Sequence, residues 1–541
     1  MDETFYAQDL ENMIIKDKEY FRKKKKIFLS IFIPLLFFIV ILSIILYFTL
    51  RHIGGKIICK YETTKDNENV HLISKTNDIN FRLIIDDSSY SGNNYHSFEK
   101  AGIHTVIFHF KNKLESLDGF FEGITNLIEI DFSELETENI RSMTSTFSYC
   151  KNLKKVNIDK QIPNLEDMSY MFFGCESLIT PYLNFDTLKV KRMDYMFYNC
   201  QEIINLDLSN FNLENLHNGR NMFTSCFKLK EIKFKDNIKT NNLEEMTGIF
   251  SHCESLDHIN TKIFNIKNVK NLNYIFENCN SLKEIDLSHF QTQNIEEAVG
   301  TFKNCKNLES LDVSNFDISK IKKITQIFYG CTNLKTLNIP PMNTNELFYT
   351  KEAFYDCQSL TSLDLSFLNF GSVISAKKMF YNCINLENLI MPNKMTSLVR
   401  TDNMFENCYK LNSINLGFLE NTSDLVVAEG MFKNCEKLTE IQFPNIDTIN
   451  LDNTNEMFSG CLNIKSINLE GLKARNITSI SKMFSNCKNL EYLNIFNACT
   501  KNADKIDSIF EGIEKNINII LNTTITSNEL IKQIPNITSE S

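Results

Sequence analysis

Hydrophobic residues along most of this chain follow two periods in turn. Met168, Met171, Phe172 and Cys175 fall at i, i+3, i+4 and i+7, which places all four on one stripe of a helix. A few residues further along each unit the period becomes two. Leu282, Ile285 and Leu287 alternate with polar residues in SLKEIDLSHF, as do Leu308, Leu311 and Val313 in NLESLDVSNF. The pattern predicts coils made of a short helix, a turn, a short strand and a looser return. One such coil cannot hide its own apolar face, so neighbouring coils must stack, with strands paired into a long parallel sheet on one side and helices on the other.

The register of the units is set by fourteen cysteines, at 150, 175, 200, 226, 253, 279, 305, 331, 357, 383, 408, 435, 461 and 487, spaced 25 to 27 residues apart. Each has a phenylalanine three positions earlier, from Phe147 to Phe484, and a leucine or isoleucine three positions later. A period of about 26 residues belongs to a solenoid. The unit decays at both ends: Phe120 and Gly123 fill the Phe and Cys slots at the front, Phe510 and Ile513 at the back, followed by a strand-like run from Ile517 to Leu521. The array is expected over residues 114–522, as about 16 coils and a rod roughly 75 Å long at a strand spacing of about 4.8 Å.

The units MFYNCQEIINLDLSNF (196–211) and FKNCKNLESLDVSNF (302–316) resemble the BspA-like leucine-rich repeats of microbial surface proteins. That resemblance implies an α/β leucine-rich-repeat solenoid, displayed on a cell surface and used for attachment to other cells, matrix proteins or host tissue. Some copies depart from the unit: Pro181 and Thr261 replace strand leucines, and Pro340, Pro392 and Pro444 follow closely on theirs. Proline lacks the donor a central strand needs, so the sheet is expected to be short there.

Before the array, Ile27 to Leu50 is a run of 24 residues without a charge. As a helix it spans about 36 Å, against a hydrocarbon core of about 30 Å. Pro34 is expected near its first turns, where a missing donor costs least. A cleaved signal peptide is the alternative, but the run is long for one and no small-residue cleavage site follows. Arg22, Lys23, Lys24, Lys25 and Lys26 precede the span and only Arg51, Lys56 and Lys60 follow closely, so the positive-inside bias puts residues 1–26 in the cytoplasm. The expected arrangement is a single-pass type II membrane protein with everything after Leu50 outside. Tyr6 and Tyr20 in the tail form no signalling motif. Residues 54–113 carry the strand-like runs KIICKY, NFRLII and HTVIFHF, read as a small β module that is a spacer or an N-terminal cap. Residues 523–541 read as a polar C-terminal tail.

Sixteen cysteines outside a cell ordinarily suggest disulfides. Here side chains in one slot point the same way, and helices on the far side of a solenoid stand about 8 to 10 Å apart, beyond the roughly 7 Å limit for a bridge. The cysteines are therefore expected to be a ladder of free, buried thiols, with Cys59 and Cys499 outside it at opposite ends. No two cysteines approach the C-x-x-C spacing of a zinc site. Met143, Met168, Met171, Met193, Met196, Met246, Met431 and Met457 share the same stripe and read as core filling. No metal or cofactor is expected.

Seven residues after each cysteine stands an outward strand position, and eleven of the fourteen there are an acid or an amide. Asp207, Asp286, Asp312, Asn338, Asp364 and Asn415 are the candidates for partner contact, with a carboxylate cluster at Asp286, Asp312 and Asp364. Such a column is either a shallow polar groove for a basic protein surface, a glycan or a divalent cation, or a soluble sheet face whose amides pair among themselves. It lacks the Trp, Tyr and Arg anchors of tight interfaces, which favours the second.

The chain carries a net charge of −10, and residues 1–26 hold seven basic and six acidic side chains, leaving about −11 on the remainder. Nucleic acid is a poor partner for that surface. Sequons at Asn421, Asn476, Asn522 and Asn536 arise easily by chance in a chain rich in Asn, Ser and Thr. H-E-x-x-H, G-x-S-x-G, P-loop and G-x-G-x-x-G motifs are absent and the nine histidines are scattered, so neither an enzyme nor a small-molecule substrate is expected. The expectation is a membrane-anchored surface protein that binds protein or glycan partners. The alternative is a single-pass receptor relaying ligand binding to its short tail.

Overall fold

The structure is a computed structural model that describes residues 3–51, 54–74, 79–91, 93–341 and 344–534, with helix side chains described from residue 13 to 43. The first two residues of the tail and the sequon at Asn536 lie outside the described residues. Helix α1 (Glu3–Arg51) is continuous, so Pro34 lies deep inside it and not in its first turns. The basic tail continues the apolar helix upstream, and the prolyl ring removes one helix bond in the middle of the apolar stretch. Met13–Ser43 is long and apolar enough to cross a membrane and none of its side chains is buried.

Residues 54–110 form six strands: β1 (Lys56–Thr63), β2 (Glu68–His71), β3 (Phe81–Ile85), β4 (Ser88–Ser91), β5 (Tyr95–Phe98) and β6 (Gly102–Phe110). The first coil adds β7 (Leu127–Asp131), and β8 (Lys155–Ile158) and β9 (Thr180–Leu183) follow. One seven-stranded sheet runs β4-β3-β6-β1-β7-β8-β9. Strand β1 pairs antiparallel with β7, whereas β7, β8 and β9 pair in parallel. The front module thus covers the open edge of the solenoid's sheet, which an exposed parallel edge requires. At the far end, helix α2 (Asn528–Gln533) lies over the last coil: Leu530 is buried, and the Gln533 side chain accepts from Ile509 N–H and donates to the Ile506 carbonyl. Residues 523–534 therefore close the rod.

About 15 turns stack between these ends as a leucine-rich-repeat solenoid. The parallel strand side is discontinuous where one long sheet was expected. Hydrogen-bonded pairs or groups form at 205–208 with 231–234, 310–312 with 336–338, 362–364 with 388–390, and through 440–520. Pro181 sits in the last strand of the first sheet, and Thr261 begins a 3-10 turn (Thr261–Ile263) where a strand was due.

Among the described residues the opposite side contains no short helices, against the expectation for that side. In all fourteen coils the residues five and one before the cysteine have positive φ, for example Tyr170 (57°) and Gly174 (69°) before Cys175. That geometry bends the stripe into consecutive tight turns. Alternate N–H groups close those turns, as in Met171 to Met168, Phe173 to Tyr170 and Cys175 to Phe172. The others donate to the next coil: Met168 to Arg192 (3.0 Å), Tyr170 to Asp194 (2.9 Å), Phe172 to Met196 (2.9 Å) and Gly174 to Tyr198 (2.7 Å). An α-helix keeps most of its N–H groups for itself and is about 10 Å wide, so one helix per coil against a sheet spacing of about 4.8 Å would force the rod to curve and forgo these inter-coil bonds. Only six of these 28 left-handed positions are glycine. Each of the others carries strain of about 1 kcal/mol, offset by the inter-coil hydrogen bonds that the turns allow.

Inside, the phenylalanines form an unbroken stack from Phe121 through Phe147 and Phe276 to Phe510, with ring centroids 5.3 to 6.0 Å apart. At the front Phe121 and Ile124 hold the slots expected for Phe120 and Gly123, because the left-handed residues there are Gly119 and Gly123, five and one before Ile124. Beside it all fourteen cysteines are free and buried, and each thiol donates to the carbonyl of the preceding coil's phenylalanine at 3.0 to 3.2 Å. The 8 to 10 Å separation expected for this side is wrong, because the coils are hydrogen-bonded here as well. Parallel Cα–Cβ directions, not distance, set the thiols in a row instead of facing one another as a bridge requires. Cys59 in β1 lies close to Cys150 and extends the row at the front.

Burial pushes the Cys226, Cys331 and Cys487 thiols up to about 12, and the other ladder thiols are also raised by burial. A raised native pKa leaves stability intact below the unfolded value of about 9 and removes it as pH climbs toward 12, because only the unfolded chain loses its proton there. Urea unfolding should therefore be insensitive to thiol ionisation below pH 9 and weaken steeply above it, by up to about 1.4 kcal/mol per pH unit for each thiol. Phe276→Ala should cost about 3 to 5 kcal/mol in the same measurement, since it opens the stack between Phe250 and Phe302.

Candidate binding face

The outward strand positions of the six candidates face solvent, whereas Asn494 at the far end of the row is buried. In 205–208 the burial alternates, with Asn205 and Asp207 exposed and Leu206 and Leu208 buried, as a half-buried strand dictates. What the candidate side chains do there is local. Asp207 Oδ1 accepts from Ser209 N–H (2.9 Å), Asp286 Oδ1 from Ser288 N–H (3.0 Å) and hydroxyl (2.6 Å), Asp312 Oδ1 from Ser314 N–H (2.9 Å) and Asp364 Oδ1 from Ser366 N–H (2.8 Å). Each closes a turn two residues long, and for Asp207, Asp312 and Asp364 that turn comes at the end of a strand. Asn415 does the same for Gly417 N–H (2.9 Å), but at the start of a 3-10 turn (Leu416–Leu419) and not on a strand.

The second carboxylate oxygens point to the adjoining coils. Lys233 Nζ lies 3.6 Å from Asp207 Oδ2, Lys262 Nζ lies 3.8 Å from Asp286 Oδ2, and Asn338 donates to Asp312 Oδ2 at 3.2 Å. Among the six candidates the structure joins only Asp312 and Asn338, which sit opposite one another in paired strands. Asp364 instead faces Ile390, which is 53% exposed, and Asp286 lies outside any assigned strand. The Ser288 hydroxyl and N–H hold the Asp286 carboxyl below the usual carboxylate range, and the Ser314 and Asn338 bonds do the same for Asp312. Burial works to raise Asp207, but the Ser209 bonds and Lys233 outweigh it and leave it low. All three are anions at neutral pH.

A second outward row carries no hydrophobic period that would mark it in the sequence. Along the turn side, two and five residues before the cysteine, Tyr170 stacks on Tyr195 (4.8 Å), Phe173 on Tyr198 (4.7 Å), Tyr329 on Tyr355 (4.4 Å) and Tyr355 on Tyr381 (4.7 Å). Next to them Asn304 donates to Asn278 and Asn434 to Asn407. The available signal was the residue just before each cysteine, repeatedly Asn, Gly or Asp, the types that tolerate a left-handed backbone.

The interior offers little room. A cavity of about 100 Å³ among Ile295, Phe302, Val313, Phe316, Ile321 and Phe354 is almost wholly apolar, and ligand pockets usually begin near 300 Å³. Among the described residues no group of three or more His, Cys, Asp or Glu is placed to hold a metal ion.

Residues 115–233, 227–311 and 299–418 match the family described as Mycoplasma protein of unknown function, DUF285. Residues 375–512 and 421–537 match the BspA type leucine-rich repeat region. None of the curated proteins matches the chain. Similar solved structures include a leucine-rich cell surface protein of Faecalibacterium prausnitzii, at 16% identity over 67% of this chain and 87% of that one, with a TM-score of 0.30. A TLR13–ssRNA13 complex matches at 15% identity over 70% of this chain and 63% of that chain, with a TM-score of 0.20. A leucine-rich repeat protein of Leptospira interrogans matches at 12% identity over 71% and 89%, also with a TM-score of 0.20.

If the carboxylates end strands by accepting an N–H, Asp312→Asn should melt like the parent and Asp312→Ala lower, in a thermal scan followed by circular dichroism. Asn415→Ala should lose about 1 kcal/mol, and Asn415→Asp little of it. Equal losses for the Asn and Ala variants of Asp312 would remove the turn from the account.

Proposed function

We propose that this chain, which belongs to the DUF285 and BspA-type leucine-rich repeat proteins, is a membrane-tethered binding scaffold that holds its solenoid outside the cell for attachment to protein or glycan partners. The observation that carries the reading is the filled interior: the Phe stack and thiol ladder occupy the space between coils, so side chains able to meet a partner stand on the outer rows. Binding, not catalysis, is the work such rows suit.

The apolar stretch Ile27 to Leu50 of the sequence supplies the anchor, and the five basic residues Arg22 to Lys26 keep the preceding tail in the cytoplasm. The solenoid is then extracellular. On its strand side Asp207, Asp286, Asp312, Asn338, Asp364 and Asn415 offer shallow anionic and amide acceptors to a basic protein surface or a glycan. Single contacts on such a face are weak, and many copies on one membrane raise avidity by orders of magnitude. The net charge of −10 works against nucleic acid.

Protease added to intact cells displaying the full chain should remove the solenoid and leave a fragment the size of α1. A chain cut only after the cells are permeabilised would reverse the topology. Cells displaying the Asp286→Asn, Asp312→Asn, Asp364→Asn triple variant should attach less well to basic matrix proteins or glycan-coated beads than cells with the parent, at equal surface expression. Unchanged attachment would take those carboxylates out of the partner surface, since asparagine preserves the turns.

A further inference from the structure

At the corner where the coil enters its turn side, one residue per coil stacks in a column joined by backbone hydrogen bonds. It runs Arg141, Glu166, Lys191, His217 and Glu244, then from Lys270 through Glu296 and Lys322 to Phe348, Ile374, Val399, Val426, Asp452, Thr478 and Asp504. From Arg141 to Lys322 the signs largely alternate, and neighbours pair: Arg141 with Glu166 at 3.5 Å, Lys191 with Glu166 at 3.4 Å, Lys322 with Glu296 at 2.7 Å. Four consecutive coils then break the rule. Phe348, Ile374, Val399 and Val426 form an apolar stripe, flanked by Tyr349 and Val427, with Phe348 and Ile374 still 36% and 39% exposed and Tyr349 44%. Beyond them the column is polar again.

We infer that this stripe is a homotypic contact, on which a second copy of the chain packs with its rod antiparallel. Charge complementarity selects the partner and its direction. A two-fold axis between the coils of Ile374 and Val399 sets Ile374 against Val399, Phe348 against Val426 and Tyr349 against Val427. The same operation brings Lys322 opposite Asp452 and Lys270 opposite Asp504, opposite signs at both flanks. It also sets Glu346 against Asp424, and Lys322, 4.0 Å from Glu346, stands where it offsets that pair. A parallel pair would instead oppose Lys322 to Lys322, Glu296 to Glu296 and Asp452 to Asp452, and like charges in register repel.

The contact is isologous, so one surface serves both copies and the pair closes on itself. Four apolar coils extend only about 14 Å along the rod from first to last. That is short of the roughly 800 Å² per partner of a standard interface, so the charged flanks belong to the contact and its affinity is modest. The pairing itself needs no membrane. Its use as a bridge between two facing surfaces rests on the outward display proposed above.

Purified full-length chain in detergent, followed by light scattering across a concentration series, tests the pairing. The parent should form a concentration-dependent dimer. Val399→Asp, Lys322→Asp and Asp452→Lys should each weaken it about tenfold or more while keeping the parent's circular dichroism spectrum. An equal mixture of Lys322→Asp and Asp452→Lys chains should restore dimer, because both flanks then meet opposite charges. A parent chain that stays monomeric, a dimer indifferent to all three variants (as pairing through α1 would be), or a mixture no better than either variant alone would each overturn the proposal. Phospholipid vesicles carrying the outward-facing chain should clump, and Val399→Asp vesicles should not. Vesicles that fail to clump while the detergent dimer persists would sink the bridging role alone and leave the pairing intact.

Discussion

The phenylalanine carbonyl is the point on which the stack depends. Phe147 O, for example, accepts the N–H of Cys150 in its own coil and the thiol of Cys175 in the next, both at 3.0 Å. Its ring lies flat on that of Phe172 at 5.4 Å. A side chain that is small, apolar and still a weak donor satisfies the second lone pair without widening the coil, and cysteine meets all three conditions. Alanine would leave the second lone pair without its thiol partner, and larger apolar groups would push the rings apart. Repeated in every coil, this fixes the vertical spacing at the value the strands on the other side also need.

That shared spacing explains why the turn side is strained. Hydrogen bonds between coils on both sides demand that alternate N–H groups leave the local turn, and left-handed residues five and one before each cysteine provide that direction. At the other corners Asp and Asn side chains do the equivalent work, turning the chain by capping an N–H two residues on. Asp186 does so for Leu188, Asp317 for Ser319 and Asn369 for Gly371. Much of the polar repeat in this protein is therefore architecture before it is a surface for anything else.

The period, the strand positions and the buried row were legible in the sequence because burial imposes them directly: a residue such as Leu311 or Cys305 has one acceptable environment. The turn ribbon was not, because Met168, Met171, Phe172 and Cys175 lie on one face in a helix and in a run of turns alike. The distinguishing residues were Tyr170 and Gly174, whose backbone angle leaves no hydrophobic mark. The buried threonines thirteen before the cysteine, such as Thr187 and Thr344, leave no hydrophobic mark either, although each donates to a carbonyl of the next coil. Of the candidate site, exposure followed from alternation in the strands, but partnership did not. Whether Asp312 meets Asn338 or a lysine depends on the residue 26 positions away, and Asp364 happens to meet Ile390.

Every coil hands its successor the same carbonyls, ring face and amides that it received from the coil before. A gene that duplicates or deletes one such segment therefore changes the protein's height by about 4.8 Å and little else. Relatives built on this plan can differ in length as beads on a string differ in number, and the distance at which a tethered rod meets its target becomes a quantity that recombination adjusts in fixed steps.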